Sequence, residues 1–207
     1  MQYLISIIIG YFLGSIPTAF LVLKKKGIDI TRTGSGNVGA MNTFEVSKSR
    51  LLGFFVFAVD FLKGLLSVIL IKWLYPDEFI YPALSLLFAV FSHCFNPWIN
   101  FKGGRGLATA AGGTILLLPY LLFCWILIWI LSFAYKKDIL LSNILATPLT
   151  LLLVLGKPEL AAKYALNQPD VNLLILFSTA GLLIIFIKHI EPLKEIIQTY
   201  KSKGLIK

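Results

Sequence analysis

Two short segments hold most of the residues in this chain that could bind an anion or assist a group transfer. The first reads Thr31-Arg32-Thr33-Gly34-Ser35-Gly36-Asn37-Val38-Gly39-Ala40-Met41-Asn42. Its glycines permit backbone angles and close approaches that other residues resist, and successive amides in such a turn form an anion-binding concavity. Ser35, Asn37 and Asn42 add neutral donors, and Arg32 adds positive charge. Gly34, Gly36 and Gly39 also satisfy G-x-G-x-x-G, but the dinucleotide reading requires a strand before the turn and a crossover helix after it. Apolar helical stretches flank this segment on both sides, which excludes that reading. The second segment runs from Asn96 to Thr109, where Lys102 and Arg105 bracket Gly103-Gly104 just before apolar residues resume. A glycine turn feeding a helix N-terminus favours anions through its free N–H groups and the helix dipole. Its spacing is not that of a nucleotide-binding P-loop.

The rest of the chain dictates where these turns sit. Of 207 residues, 57% are hydrophobic and 14% charged, against roughly 25% charged in ordinary globular domains. Even a 150-residue domain buries only about 70% of its unfolded surface, so the surrounding solvent must be lipid. This excludes a soluble enzyme and a disordered chain, and the two cysteines, Cys94 and Cys124, read as packing residues rather than a disulfide or metal pair. A membrane core needs about 20 apolar residues per helix. The expected spans are 3–23, 51–75, 80–98, 108–118, 119–135, 139–156 and 171–188. The fourth is short, and Gly112-Gly113 with Pro119 separates it from the fifth. The expectation is an all-α integral membrane protein of about seven transmembrane helices, forming a single domain over residues 1–207. The first span lacks a basic leader and is kept as a helix rather than a cleaved signal peptide.

Charge sets the orientation. Most of the 19 Lys and Arg residues fall in the loops around residues 24–50, 102–105 and 136–137 and in the tail from Lys188 onward. Lys and Arg concentrate on the cytoplasmic side, so the N-terminus is expected outside, the C-terminus in the cytoplasm, and both glycine-rich turns on the inner face. The net charge of +9 is then a topology signal, and no nucleic-acid partner is expected. Asp60 and Lys63 lie three residues apart in the second span and can pair on one helix face, a structural role. His93 is expected to be a hydrogen-bonding residue at a helix end. His189, followed by Glu191, closes the last span where a histidine can bind anions or move protons.

These motifs together resemble the bacterial acyl-phosphate:glycerol-3-phosphate acyltransferases, the PlsY family. The resemblance rests on Gly34 to Asn42, on Gly14-Ser15-Ile16-Pro17, on Asp60-Phe61-Leu62-Lys63-Gly64, on Phe101 to Thr109 and on His189-Ile190-Glu191, in the family's order and spacing. It implies a seven-helix enzyme of the bacterial inner membrane, multi-pass, with its active site on the cytoplasmic side. The reaction moves a fatty acyl group from acyl phosphate to glycerol 3-phosphate, giving lysophosphatidic acid and phosphate, with no metal or nucleotide cofactor. The implied catalytic residues are Ser35, Asn37 and His189. The implied substrate-binding residues are Arg32, Gly34, Gly36, Gly39, Asn42, Lys102, Gly103, Gly104, Arg105, Thr109 and Asn143, with Asp60, Lys63 and Glu191 structural. Four positions depart from the family pattern: Glu45 stands about where an arginine belongs, Arg105 replaces a lysine, Pro192 an asparagine, and Asn143 a serine. Two other readings fit the same residues: acyl transfer to a different polar acceptor, and a non-catalytic anion-binding or permease relative.

Overall fold

The computed structural model describes residues 1–202, and every regular element among them is helical. In chain order they are α1 (Gln2–Gly14), α2 (Thr18–Lys24), α3 (Ala40–Ser47), α4 (Arg50–Leu74), α5 (Ile80–Cys94), a 3-10 turn (Pro97–Ile99), α6 (Leu107–Leu117), α7 (Pro119–Lys136), α8 (Ile139–Gly156), α9 (Pro158–Lys163), α10 (Val171–Ile187) and α11 (Ile190–Ser202). Short polar side chains define several starts. Ser49 accepts from the Leu52 N–H at α4, Asp138 from Leu141 at α8, and Asp170 from Asn172 and Leu173 at α10, each satisfying orphan donors of the first turn.

Each expected span is helical, but the helices are unequal in length. Gln2–Lys24, Arg50–Leu74, Ile80–Ile99, Pro119–Lys136 and Ile139–Gly156 are long and apolar enough to cross a membrane. The α10–α11 pair meets the same length and composition test only when taken together, with a 47° bend between the two helices. The region expected at 108–118 is α6, only 11 residues and therefore about 16 Å long at 1.5 Å per residue, half of a hydrocarbon core about 30 Å thick. The first span is broken at Ser15-Ile16-Pro17, because Pro17 cannot donate to a continuing helix. Its freed groups find partners elsewhere: the Ser15 carbonyl accepts from Asn96 Nδ2 at 2.7 Å, the Ile16 carbonyl from Lys63 Nζ at 3.1 Å, and Ser15 Oγ from Trp98 Nε1 at 3.1 Å. A broken span is tolerated in lipid only when its backbone groups are satisfied in this way.

α4 is the hub, lying against α1, α5 and α6, while α7 packs on α8 and α10 on α5 and α8. The α4–α6 contact is backbone to backbone: a Cβ added at Gly112 would sit 1.9 Å from the Phe61 carbonyl oxygen. Small residues let membrane helices approach this closely, where dispersion replaces the hydrophobic effect as the driving force. One buried cluster, including Val68, Leu86, Leu117, Leu174 and Leu182, joins α4, α5, α6 and α10. A second, of Ala19, Leu23, Ile30, Val38, Val56 and Ile99, lies beneath the first glycine-rich loop and pins both of its ends. The expected Asp60–Lys63 pair is present at 2.9 Å, buried within the bundle.

Candidate active site

The loop between α2 and α3 is organised around one side chain. Asn42 is 1% exposed. Its Oδ1 accepts from the Ser35 N–H at 3.0 Å, and its Nδ2 donates to the carbonyls of Thr33 and Asn37 at 3.0 Å each and of Ile30 at 3.5 Å. Gly34 takes a φ of 62° where a Cβ would lie 2.2 Å from Asn42 Oδ1, so no other residue fits. The N–H of Gly36 donates to Thr33 and that of Gly39 to Asn37. Three amides expected to face a ligand, those of Ser35, Gly36 and Gly39, are therefore turned inward. A tight turn has to satisfy its own donors, and the loop instead presents the Ser35 hydroxyl and the Asn37 carboxamide. Asn42 is a scaffold residue more than a ligand, although it reaches one cavity wall.

The second loop, between α5 and α6, is likewise closed on itself: Phe101 N–H donates to the Asn96 carbonyl, Lys102 N–H to Ile99, and Gly104 N–H to His93. This leaves Lys102 exposed and Arg105 half-buried. Burial lowers the pKa of Arg105 from its ordinary value, while the nearby Glu195 and Glu45 carboxylates act the other way. A guanidinium stays charged throughout any working pH.

The two loops meet at two adjoining cavities. One, about 390 Å³, is lined by Ser35, Gly36 and Asn37 from the first loop and by Phe101, Lys102, Gly103 and Arg105 from the second, with Phe95, Ile187, Lys188, Glu191, Pro192 and Glu195 completing it. The other, about 470 Å³, is lined by Ser35, Asn37, Met41, Asn42, Glu45 and Arg105, with Phe133, Lys137, Asp138, Ile139, Leu140 and Asn143 from the α7–α8 region. Ser35, Asn37 and Arg105 form the wall common to both. The two segments singled out in the sequence thus lie on one side of the bundle and share one space. Trp129 Nε1 donates to Asn143 Oδ1 at 2.7 Å, fixing that carboxamide at the rim.

Several expected site residues lie elsewhere. Arg32 points away, 84% exposed, with its Nε 3.5 Å from Asp29 Oδ2. Asp29 is itself held below the usual carboxylate range, first by the hydroxyl hydrogen bond from Thr31. Thr109 is buried in the α4–α6 contact, where a Cβ on Gly64 would strike its carbonyl. Gly104 is wedged between the His93 ring and the Val38 carbonyl and lines neither cavity. Gly34 and Gly39 shape the loop without reaching a cavity. Glu191 pairs with Lys194 at 2.9 Å on the surface and also lines the smaller cavity.

His189 is 1% exposed and outside both cavity walls. Its Nδ1 lies 2.8 Å from the Ile185 carbonyl, so Nδ1 carries the proton and Nε2 a lone pair, and Nε2 has no partner. Burial is the chief reason its pKa falls to about 4, with the Arg105 charge acting the same way. Sequence reasoning did not anticipate Lys188, Lys137, Asp138 or Glu195 in the cavity walls. The basic residues could have been found, since each sits in the cluster used for orientation. Among the described residues no three His, Cys, Asp or Glu side chains converge.

Residues 4–199 match the family model described as glycerol-3-phosphate acyltransferase. A glycerol-3-phosphate acyltransferase of Ehrlichia chaffeensis is 37% identical over 151 residues, covering 72% of this chain and 76% of its own. That of Streptococcus mutans is 36% identical over 197 residues, covering 95% and 91%. The crystal structure of PlsY, an integral membrane glycerol 3-phosphate acyltransferase, in its glycerol 3-phosphate form superposes with a TM-score of 0.79 at 27% identity over the whole of both chains. Its lysophosphatidic acid form gives 0.77 at 28% identity, covering 96% of this chain and 93% of that one.

Proposed function

This chain belongs to the glycerol-3-phosphate acyltransferase family and is an integral membrane acyltransferase of phospholipid biosynthesis, and we propose that its donor is an acyl phosphate and its acceptor glycerol 3-phosphate. The observation that carries the reading is the shared wall of Ser35, Asn37 and Arg105 between two polar cavities. Two anionic reactants need two basic pockets and one common boundary where a bond can pass between them.

In this reading glycerol 3-phosphate occupies the smaller cavity, its phosphate held by Lys102, Lys188 and Arg105. The acyl phosphate head occupies the larger one beside Asn143 and Lys137, and its chain leaves past Phe133, Ile139 and Leu140 toward lipid. The glycerol hydroxyl attacks the acyl carbonyl, a carbon–oxygen bond forms, and the acyl–phosphate bond breaks to release phosphate. The proton passes to an oxygen of the departing phosphate or, after a small displacement, to the unpartnered Nε2 of His189. Ser35, Asn37 and Arg105 are the donors nearest the developing oxyanion, where each preorganised donor contributes about 3–4 kcal/mol. Fixing both reactants side by side contributes a further large share.

The cavities also support an orientation. They gather the α2–α3, α5–α6, α7–α8 and α10–α11 connections at one end of the bundle. Only an even number of crossings between the α5–α6 and α7–α8 connections allows this, so short α6 acts as a crossing and α7 as its return. In this reading the chain makes seven crossings with its N-terminus outside and its site on the cytoplasmic face of a bacterial inner membrane, a reading supported by the concentration of basic residues at that end. Purified protein given acyl phosphate and labelled glycerol 3-phosphate is expected to release phosphate and labelled lysophosphatidic acid in equal amounts. Folded protein that releases neither product overturns the reading.

A further inference from the structure

We propose that His93, anchored by the buried Asp60–Lys63 pair, is a positioning residue that sets the separation of the two active-site loops. The proposal rests on the reading above, in which Lys102 and Arg105 grip glycerol 3-phosphate.

Lys63 Nζ has three protons and three partners: Asp60 Oδ1 at 2.9 Å, the Ile16 carbonyl at 3.1 Å and His93 Nδ1 at 2.7 Å. An ammonium only donates, so Nδ1 of His93 accepts and the neutral ring carries its proton on Nε2. One edge of the imidazole is thereby fixed by a charge-assisted hydrogen bond inside the bundle, where Asp60, Lys63 and His93 are all buried.

The opposite edge lies against the second loop. A Cβ on Gly104 would sit 2.2 Å from His93 Nε2 and 2.8 Å from the Val38 carbonyl oxygen. Gly104 is therefore the thin layer between the ring and the floor of the first loop. The His93 carbonyl also accepts from the Gly104 N–H at 3.1 Å, and a Cβ on Gly103 would meet that same oxygen at 2.1 Å. His93 thus touches the Lys102–Arg105 turn through both ring and backbone, and any shift of the ring moves Gly104 toward or away from Val38. The distance between Ser35 and Asn37 on one loop and Lys102 and Arg105 on the other follows from that gap. A buried ion pair replaced by apolar residues is often neutral or stabilising, so its use here lies in orienting the imidazole rather than in stability.

The test is steady-state kinetics of the full-length protein in detergent, with acyl phosphate saturating and glycerol 3-phosphate varied. His93→Ala is expected to raise KM for glycerol 3-phosphate about tenfold with kcat within about threefold, the split that marks lost uniform binding. Gly104→Ala is expected to raise KM through the clash with the ring. The double variant His93→Ala/Gly104→Ala should then have a KM severalfold below the product of the single effects, because the new methyl no longer meets the ring and is left only with the Val38 carbonyl at 2.8 Å; coupling of this kind marks direct contact. Should His93→Ala not fold, the neutral pair Asp60→Asn/Lys63→Met leaves the ring in place without its anchor and should still raise KM. Strictly additive effects, or a KM unmoved in the anchor variant, overturn the inference while leaving the acyltransfer reading intact. A wild-type protein that neither turns over nor binds glycerol 3-phosphate overturns both.

Discussion

The two loops of the site are held in opposite ways. The α2–α3 loop is self-supporting: the carboxamide of Asn42, a few residues downstream, ties Ile30, Thr33, Ser35 and Asn37 together. The α5–α6 loop has no comparable internal side chain and leans on His93, and through it on Lys63 and Asp60 deep in the bundle. Untying Asn42 leaves Ile30 and Val38 holding the ends of the first loop in the core, whereas disturbing His93 reaches the second loop and the buried Asp60–Lys63 pair together. Local geometry and global stability are therefore more separable at one half of the site than at the other.

Asn42→Ala should break the first half outright. It removes three hydrogen bonds near 3.0 Å from a buried position, each contributing about 1 kcal/mol, and turnover should fall by over 100-fold, about 3 kcal/mol by the usual conversion. The same bonds contribute to stability, so the Tm of the detergent-solubilised protein should fall by several degrees, and a drop as large as that of Asp60→Ala would contradict the contrast between the two halves. Asp60→Ala should do the reverse. It strands the Lys63 ammonium in an apolar setting, a loss of about 3–5 kcal/mol, seen as lower yield and Tm before any kinetic change is measured.

A smaller effect follows from His189. Its pKa is near 4 when folded against 6.5 ordinarily, so the unfolded chain binds the extra proton. Stability is accordingly full above pH 6.5 and declines as pH falls toward 4. His189→Gln should flatten that decline in thermal melts from pH 7 to pH 4.5. The smallest change is expected at Glu45, a carboxylate in the cavity assigned to acyl phosphate. Glu45→Gln should lower KM for the donor about twofold by removing a weakly screened like charge; an increase would show that Glu45 works mainly by holding Arg105 in place.

The sequence made the Asp60–Lys63 pair legible because a three-residue spacing in a helix leaves little choice of face. It also marked both loops, since glycines and basic residues are conspicuous in an apolar chain. Arg32, Gly104 and Thr109 were misplaced for a shared reason: a motif residue can serve the loop's own fold rather than its ligand, and only φ angles and neighbouring carbonyls tell which. His93 read as an ordinary helix-end histidine because its partners come from α4 and from the break in the first span. Lys188, Lys137 and Asp138 reach the cavities through the gathering of four connections at one end, which no local pattern encodes. The short fourth span was legible from Gly112-Gly113 and Pro119, and it forms as the 11-residue α6.

The interruption at Ser15-Ile16-Pro17 bears on biogenesis. While the ribosome has delivered only the first hydrophobic stretch, the Ser15 carbonyl there faces hydrocarbon without the Asn96 donor, and the Ile16 carbonyl has only the Thr18 N–H. Lys63 and Asn96 emerge later, with the second and third stretches. The N-terminal helix is therefore a provisional guest in lipid until about half the chain has been made, and truncations ending before Asn96 should be cleared by membrane quality-control proteases.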